Sequence, residues 1–350
     1  MGLRFFILGW VLAMLSACAR PQLKLGPAIS NQLRTKDYII VGERHPNTCD
    51  HQMELKVLKA LLHLQLRPVI GLEMVPKTAQ QTLDQYLHGK ISLTQLPSKL
   101  NWAKNWGYDF NYYAPIFKLA RKYHLKIIGL NLPYQVVKKW SQEKTLTAQE
   151  KKLLPTKIIL PASAQQEYLK QQWTRLKQIM PFLSVSLNRF LRGQSLWESA
   201  MAEQSVNAYR HYGHPVLIYI GSGHVQTPFG LIQRIKMLHP QAQIFTFLPG
   251  EQVHRNATTY VYVCPTQPKT HLGLELKPCS QGILVLKVNP RSKAAQAGFK
   301  SGDIILKVNE RKAKNLLDLH TQAIKSLQTN QDLNFLILRN EQRLTLKIKL

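Results

Sequence analysis

The strongest constraint on this chain is a strand signal that recurs four times, each time passing through a glycine to a residue able to do chemistry. The run from Asp37 to His45 is apolar and β-branched through Tyr38-Ile39-Ile40-Val41, stops at Gly42 and is followed at once by Glu43 and His45. It reads as a buried strand whose carboxyl end carries a site. Pro68 to Met74 delivers Glu73, Leu125 to Asn131 delivers Asn131, and Pro215 to His224 delivers Gly221, Gly223 and His224 in the same way. The segments between them are long enough for crossover helices, so the four strands are expected to lie parallel with their carboxyl ends on one rim. In open α/β sheets that rim is where ligands bind.

With 350 residues the chain exceeds the usual single-domain size, and two domains are expected. The first seventeen residues read as a signal peptide: a basic start ending at Arg4, an apolar run from Phe5 to Leu15, and Leu15-Ser16-Ala17-Cys18, which matches the bacterial lipobox. Cys18 would then carry the lipid, followed by a linker to residue 32. A lipoprotein of the outer membrane facing the periplasm, or of the cell envelope, is the expected placement. Such a compartment permits disulfides, and Cys264 with Cys279 would close a short loop, leaving Cys49 unpaired near His45.

The net charge of +28 is spread over the chain, +19 before residue 257 and +9 from there on. A basic protein of this kind suggests nucleic acid, but no helix-turn-helix or ribonucleoprotein signature is present, and no nucleic-acid partner is expected. The charge reads as attraction to anionic envelope surfaces or to an anionic ligand.

Between the strands, Asp50 to Leu66 has helical periodicity through Met53, Leu55, Val57, Leu58, Leu61 and Leu62, and Pro76 to Leu87 is a second helix. Trp102, Trp106, Tyr108 and Phe110 form an aromatic cluster that suits either a core or a flat ligand. Tyr112 and Tyr113 open a helix running to His124. Residues 141–212 lack strand signals and are expected to be a small helical insertion covering the rim. A helix starting at Thr227-Pro228 reaches His239, and Gln243 to Leu248 is the expected last strand, with the domain ending at Pro249-Gly250.

Two copies of Gly-x-x-His, Gly42 to His45 and Gly221 to His224, occur with Gly71-Leu72-Glu73-Met74, Tyr113-Ala114-Pro115, Gly129-Leu130-Asn131-Leu132-Pro133 and Trp197-Glu198-Ser199-Ala200-Met201-Ala202. Together they make residues 33–250 resemble the ChaN/Tiki/TraB-like superfamily, nearest to the ChaN family of iron-regulated, haem-binding lipoproteins. The chain departs from that pattern at Tyr134, where many members carry arginine, and at Glu198, where an aspartate is usual. From residue 257 the pattern changes to short strands. Leu272-Gly273-Leu274-Glu275, Gly282 to Val285, Asn289 to Gly298 and Ser301 to Asn309 resemble a bacterial PDZ domain extending to residue 350.

The expected fold is therefore α/β, a mainly parallel sheet flanked by helices, followed by a small β-barrel-like PDZ domain. The ChaN resemblance implies haem or iron bound at the rim in iron uptake; its motifs assign no axial residue, and Tyr113, His51 and Tyr108 are the candidate ligands, with Tyr112 and the tryptophans available for the slot and Gly42, Asn131, Glu198, Gly221 and Gly223 lining the site. The Tiki resemblance implies the alternative, metal-dependent hydrolysis. His45, His224, Glu43 and Glu73 are a donor set suited to zinc, manganese or iron, with Glu43 or Glu73 as general base. The PDZ resemblance implies capture of a peptide or protein C-terminus, its carboxylate held at Leu272, Gly273 and Leu274. A homodimer enclosing haem between two copies stays open from the sequence.

Overall fold

The computed structural model describes residues 25–45, 47–179, 185–264, 272–313 and 316–349. The expected signal segment and Cys18 lie outside the described residues. In chain order the first unit contains α1 (Pro27–Leu33), β1 (Tyr38–Glu43), α2 (Thr48–His63), β2 (Val69–Pro76), α3 (Gln80–Leu87), the short α4 (Leu96–Lys99) and α5 (Trp102–Asn105), α6 (Ala114–Lys122), β3 (Ile127–Asn131) and α7 (Tyr134–Ser141). It continues with α8 (Ala148–Lys151), α9 (Ser163–Ile179), α10 (Leu187–Tyr212), β4 (Val216–Gly221), α11 (Leu231–Leu238), β5 (Ile244–Gly250), β6 (His254–Arg255) and β7 (Thr259–Val263).

The seven strands form one sheet in the order β3-β2-β4-β1-β5-β7-β6. All neighbours pair in parallel except β6 with β7. β1 and β4 lie side by side in the register Tyr38 with Val216 through Glu43 with Gly221. The two Gly-x-x-His segments therefore leave the sheet together. Alternation along β1 sorts its side chains between two cores. Ile39 and Val41 pack with Val57 and Leu61 of α2 on one face, while Tyr38 and Ile40 pack with Val206 of α10 and Ile235 of α11 on the other. Both faces are covered, which is why the four runs read as continuous apolar stretches.

The sheet runs on past the expected end at Gly250. Thr259-Tyr260-Val261-Tyr262-Val263 is β-branched and aromatic and adds as β7 beside β5. Tyr262 is fully buried, and its hydroxyl donates to the Gly42 carbonyl at 2.8 Å. The expected insertion at 141–212 also divides: α10 lies on β2, β3 and β4 and supplies Met201, Ala202 and Val206 to the core, so it is the crossover helix leading into β4. The last helix of this unit begins at Leu231, after Gly230 at φ +73°, later than the expected start at Thr227-Pro228.

This topology overturns the expected Cys264–Cys279 pair. Cys264 follows β7 and arrives at the rim, where it is bonded to Cys49 in the first turn of α2 with Cα atoms 5.7 Å apart. Cys279 ends a strand of the other sheet and is free.

The second unit comprises β8 (Leu274–Cys279), β9 (Gly282–Val288), α12 (Lys293–Gln296), β10 (Ile304–Val308), β11 (Arg311–Lys312), α13 (Leu316–Gln328), β12 (Leu333–Arg339) and β13 (Gln342–Ile348). Its sheet is ordered β13-β12-β10-β9-β8, with β11 beside β10, and all pairs are antiparallel. Ile283, Val285, Ile305, Phe335 and Ile337 form its core. β8 is an edge strand, as is β13 at the other end, and is entered through Gly273 at φ +80°. A Cβ there would collide with Ser292, so the loop requires glycine. Among the described residues no helix is long and apolar enough to cross a membrane.

The Cys49–Cys264 bond closes a segment of 215 residues. Its removal is expected to destabilise the first unit by about 2–4 kcal/mol. Urea melts of Cys49→Ser and Cys279→Ser check this: the midpoint falls for the first and stays for the second.

Candidate functional site

β1 ends by placing Glu43 inside the protein, 1% exposed. Its Oε1 accepts from the Tyr113 hydroxyl at 2.7 Å and lies 2.7 Å from His45 Nδ1, and its Oε2 lies 2.9 Å from His51 Nδ1. Burial alone would raise this carboxyl. Hydrogen bonds from His45 and His51, together with their charges, outweigh it and hold the group low. Glu43 thus fixes one nitrogen of His45 and leaves Nε2 facing the rim. The His45 ring packs against Trp106, 4.5 Å away edge-on, and Tyr108, 4.9 Å away, which also touch each other.

Glu73 arrives from β2 and accepts from the Gly221 backbone N–H. His224, on the turn after β4, places Nε2 3.3 Å from Glu73 and Nδ1 3.1 Å from Glu198 of α10. Glu198 is held in turn by Gln165 at 2.8 Å and by Arg234 at 2.7 Å. Arg234 is fully buried and also donates to the carbonyls of Gly230 and Ile159. Burial opposes protonation of His224, but Glu73 and Glu198 prevail and raise it to about 10. Burial likewise opposes ionisation of Glu73, and His224, His45 and the Gly221 amide bring it down. A Cβ on Gly221 would stand 2.8 Å from His45 Cε1, so glycine is what allows the two histidine segments to meet.

The structure therefore brings His45, Glu73, His224 and Gly221 together, with Glu198 behind His224. Gly42 packs under Leu248 and Ser222, while Gly223 has open space around it. Asn131 lines a cleft of about 240 Å³ beside Glu73, whose other walls include Trp106, Pro133, Tyr134 and Trp197. Tyr108 is half-buried, its phenol raised by burial and by Glu43 and Glu73.

Three expectations need correction. Glu43 is engaged by Tyr113, His45 and His51, while His224 engages Glu73, so the expected metal set of His45, His224, Glu43 and Glu73 does not gather as one group of mutually close donors among the described residues. Among the described residues, the trio whose ligating atoms all lie within 4.8 Å of one another is Glu43, His51 and Glu54. Tyr113 is fully buried, donates to Glu43 and accepts from Trp106 Nε1 at 3.0 Å, so its hydroxyl is not open to a ligand. His51 is 4% exposed, stacked on Tyr112, with Nε2 donating to the His45 carbonyl at 2.7 Å. It is not a rim ligand, since both ring nitrogens are spent on groups in the core.

Sequence reasoning missed Glu54, Gln165 and Arg234. Arg234 had a signal: it occupies the apolar stripe of Leu231, Ile235 and Leu238, where an unpaired cation would be costly. Glu54 stands one turn after His51 on the buried face of α2.

The raised histidines give a sign to the pH dependence. His51, raised to about 11, and His224, raised to about 10, contribute stability that is full below their ordinary value of 6.5 and lost as pH rises through those values. Glu73, depressed, contributes stability present above its ordinary 4.5 and lost as pH falls through its lowered value. The melting temperature is expected to be highest between about pH 5 and 7 and to fall towards pH 10. His224→Gln should flatten the alkaline fall in a Tm-against-pH series, and an unchanged alkaline limb would contradict the assignment.

A family model described as haem-binding uptake, Tiki superfamily, ChaN matches residues 29–235, and a PDZ domain model matches residues 270–350. Among solved structures, the chain is similar to ChaN of Campylobacter jejuni, reported with cofacial haem binding, at a TM-score of 0.53 and 20% identity over 67% of this chain and 89% of that one. That likeness is one of fold. A serine endoprotease from Yersinia pestis is 35% identical over 22% of this chain and 27% of its own, with a TM-score of 0.19. A probable periplasmic DegP-like serine endoprotease of Rickettsia prowazekii (strain Madrid E) is 40% identical over 70 residues, 20% of this chain. The chain spans 14% of the length of that curated relative. The family match over residues 29–235, more than half of the chain, makes this chain a member of the ChaN haem-binding family of the Tiki superfamily, followed by a PDZ domain.

Proposed function

We propose that the protein is an envelope lipoprotein that binds haem or iron at the strand rim for iron uptake and captures a peptide or protein C-terminus at the PDZ edge. The observation that carries the haem reading is the pairing of an aromatic-walled cleft with His45, whose ring lies 4.5 Å from Trp106 of the cleft wall and whose Nδ1 is committed to Glu43. Haem needs flat apolar walls, an axial nitrogen or oxygen donor and cations for its propionates. Trp106, Tyr134 and Trp197 supply the walls, His45 and Tyr108 are the donors packed against Trp106, and the net charge of +28 favours an anionic ligand. Haem bound there would supply the redox and iron-carrying chemistry. The cleft of about 240 Å³ is small for a fully enclosed ligand, which supports a second copy covering the outer face.

The envelope placement rests on the lipobox at Cys18 and is supported by the Cys49–Cys264 bond, which suits an oxidising compartment. The PDZ reading is supported by β8 as an open edge and by the glycine-dependent turn at Leu272-Gly273-Leu274.

Hemin titration of the Cys18→Ser protein tests the haem reading. A saturable Soret shift is expected, weakened at least about tenfold in His45→Ala or Tyr108→Phe, equivalent to about 1.4 kcal/mol. No Soret shift in the unsubstituted site would sink it.

A second reading, metal-dependent hydrolysis, is favoured by one observation: the Glu43–His45 pair is an oriented general-base arrangement with Glu73 beside it. Elemental analysis decides between the two. Stoichiometric metal lost in both His45→Ala and His224→Ala, with peptide cleavage lost in parallel, would replace the haem reading.

A further inference from the structure

Behind the rim, on the core side of Glu43, lies a second cluster that haem binding does not use. His51 stands in the first turn of α2 and Glu54 one turn further on, both facing Glu43. His51 Nδ1 is 2.9 Å from Glu43 Oε2 and 2.8 Å from Glu54 Oε2. The three residues are 1%, 4% and 0% exposed. Two carboxylates therefore share one imidazole in the core, and one ring N–H serves only one of the oxygens it faces. Among the described residues Glu54 Oε1 is buried without a hydrogen-bond partner, and Glu43 Oε2 is buried facing the same His51 nitrogen that already serves Glu54. The nearby Arg44 is engaged elsewhere, on Asp50 at 2.8 and 2.9 Å and on the Cys264 carbonyl.

The surroundings hold each of these groups in place. His51 Nε2 donates to the His45 carbonyl, so Nδ1 is the ring atom turned toward the carboxylates. Tyr113 fixes the other oxygen of Glu43. A ring N–H donated to a backbone carbonyl, with hydrogen-bonded carboxylates alongside, is the outer support that metal-ligating histidines have. An uncompensated negative charge in a core is costly, and a small cation at this point would remove it.

We propose that Glu43, His51 and Glu54 form a buried structural site for one divalent cation of the zinc, manganese or ferrous class. His51 gives Nδ1 and each glutamate gives one oxygen, a donor set that suits these ions. Ligand atoms around an ion at about 2.0–2.2 Å stand roughly 3.3 Å apart in tetrahedral geometry, so the side chains spread by only a few tenths of an ångström to admit it. The competing occupant is a single proton on Glu54, whose carboxyl is raised by burial and by Glu43.

The two occupants are told apart with the full chain carrying Cys18→Ser, refolded in zinc, manganese(II) or ferrous iron and then desalted. About one equivalent of metal by elemental analysis is expected, together with a Tm about 5 °C above that of protein refolded in chelator. Glu54→Gln should lose the metal at least tenfold and lose the chelator-dependent difference in Tm, while His224→Ala keeps both. Should Glu54→Gln fail to fold, the wild-type comparison still decides. No bound metal and no Tm difference in the wild type overturns the proposal, as does a Glu54→Gln protein at least as stable as wild type. Metal lost in His224→Ala but kept in Glu54→Gln places the ion at the rim and also overturns it.

Discussion

The buried carboxylate of Glu43 is the group on which the rest of the site depends. A charge at the end of a central strand is tolerated only where donors reach it from several directions. Here they come from Tyr113 before α6, from His45 on the loop after β1 and from His51 on α2. Each of these donors is fixed by meeting the carboxylate. Tyr113 also accepts from Trp106, and Trp106 forms part of the cleft wall. One ionised group thus connects the strand, the first helix, the aromatic segment and the rim histidine.

On the other side of His45 a second set of charges is arranged as a line. Arg234, Glu198, His224 and Glu73 alternate in sign from the core to the rim. Alternation explains why a fully buried arginine is present: it compensates Glu198, which would otherwise have only His224 and Gln165. The two Gly-x-x-His motifs are alike in sequence and differ in role. His45 has one nitrogen committed and one turned to the rim, whereas both nitrogens of His224 face carboxylates.

The parallel strands were legible because both faces of the sheet are covered, which turns each strand into an unbroken β-branched run. The rim was legible for a similar reason, since each run stops at a polar residue and parallel topology collects the stops. What escaped were facts about direction. Tyr113 is two residues from Asn111 and five from Tyr108, and nothing local says that its hydroxyl is spent on a strand seventy residues earlier. His51 was placed near the site, yet whether it faces solvent, rim or core depends on where α2 sits on the sheet. The Cys264–Cys279 pairing was inferred from closeness in sequence. The tyrosines and valines of β7 carried Cys264 to a different sheet, and their alternation was the available signal that the first domain had not ended.

The Cys49–Cys264 bond then gains a meaning beyond chain entropy. Cys49 lies between Asn47, whose side chain caps α2, and Asp50, which accepts from the backbone and guanidinium of Arg44. Arg44 in turn donates to the Cys264 carbonyl. The end of β7, Arg44, Asp50 and the first turn of α2 are therefore one cross-linked unit, and His45 and His51 sit on the two segments that it joins. The covalent bond restrains the start of α2, the same turn that holds His51 against Glu43. Loss of that restraint acts on His51 first, through α2, and reaches His45 by way of the shared carboxylate and the His45 carbonyl that His51 holds.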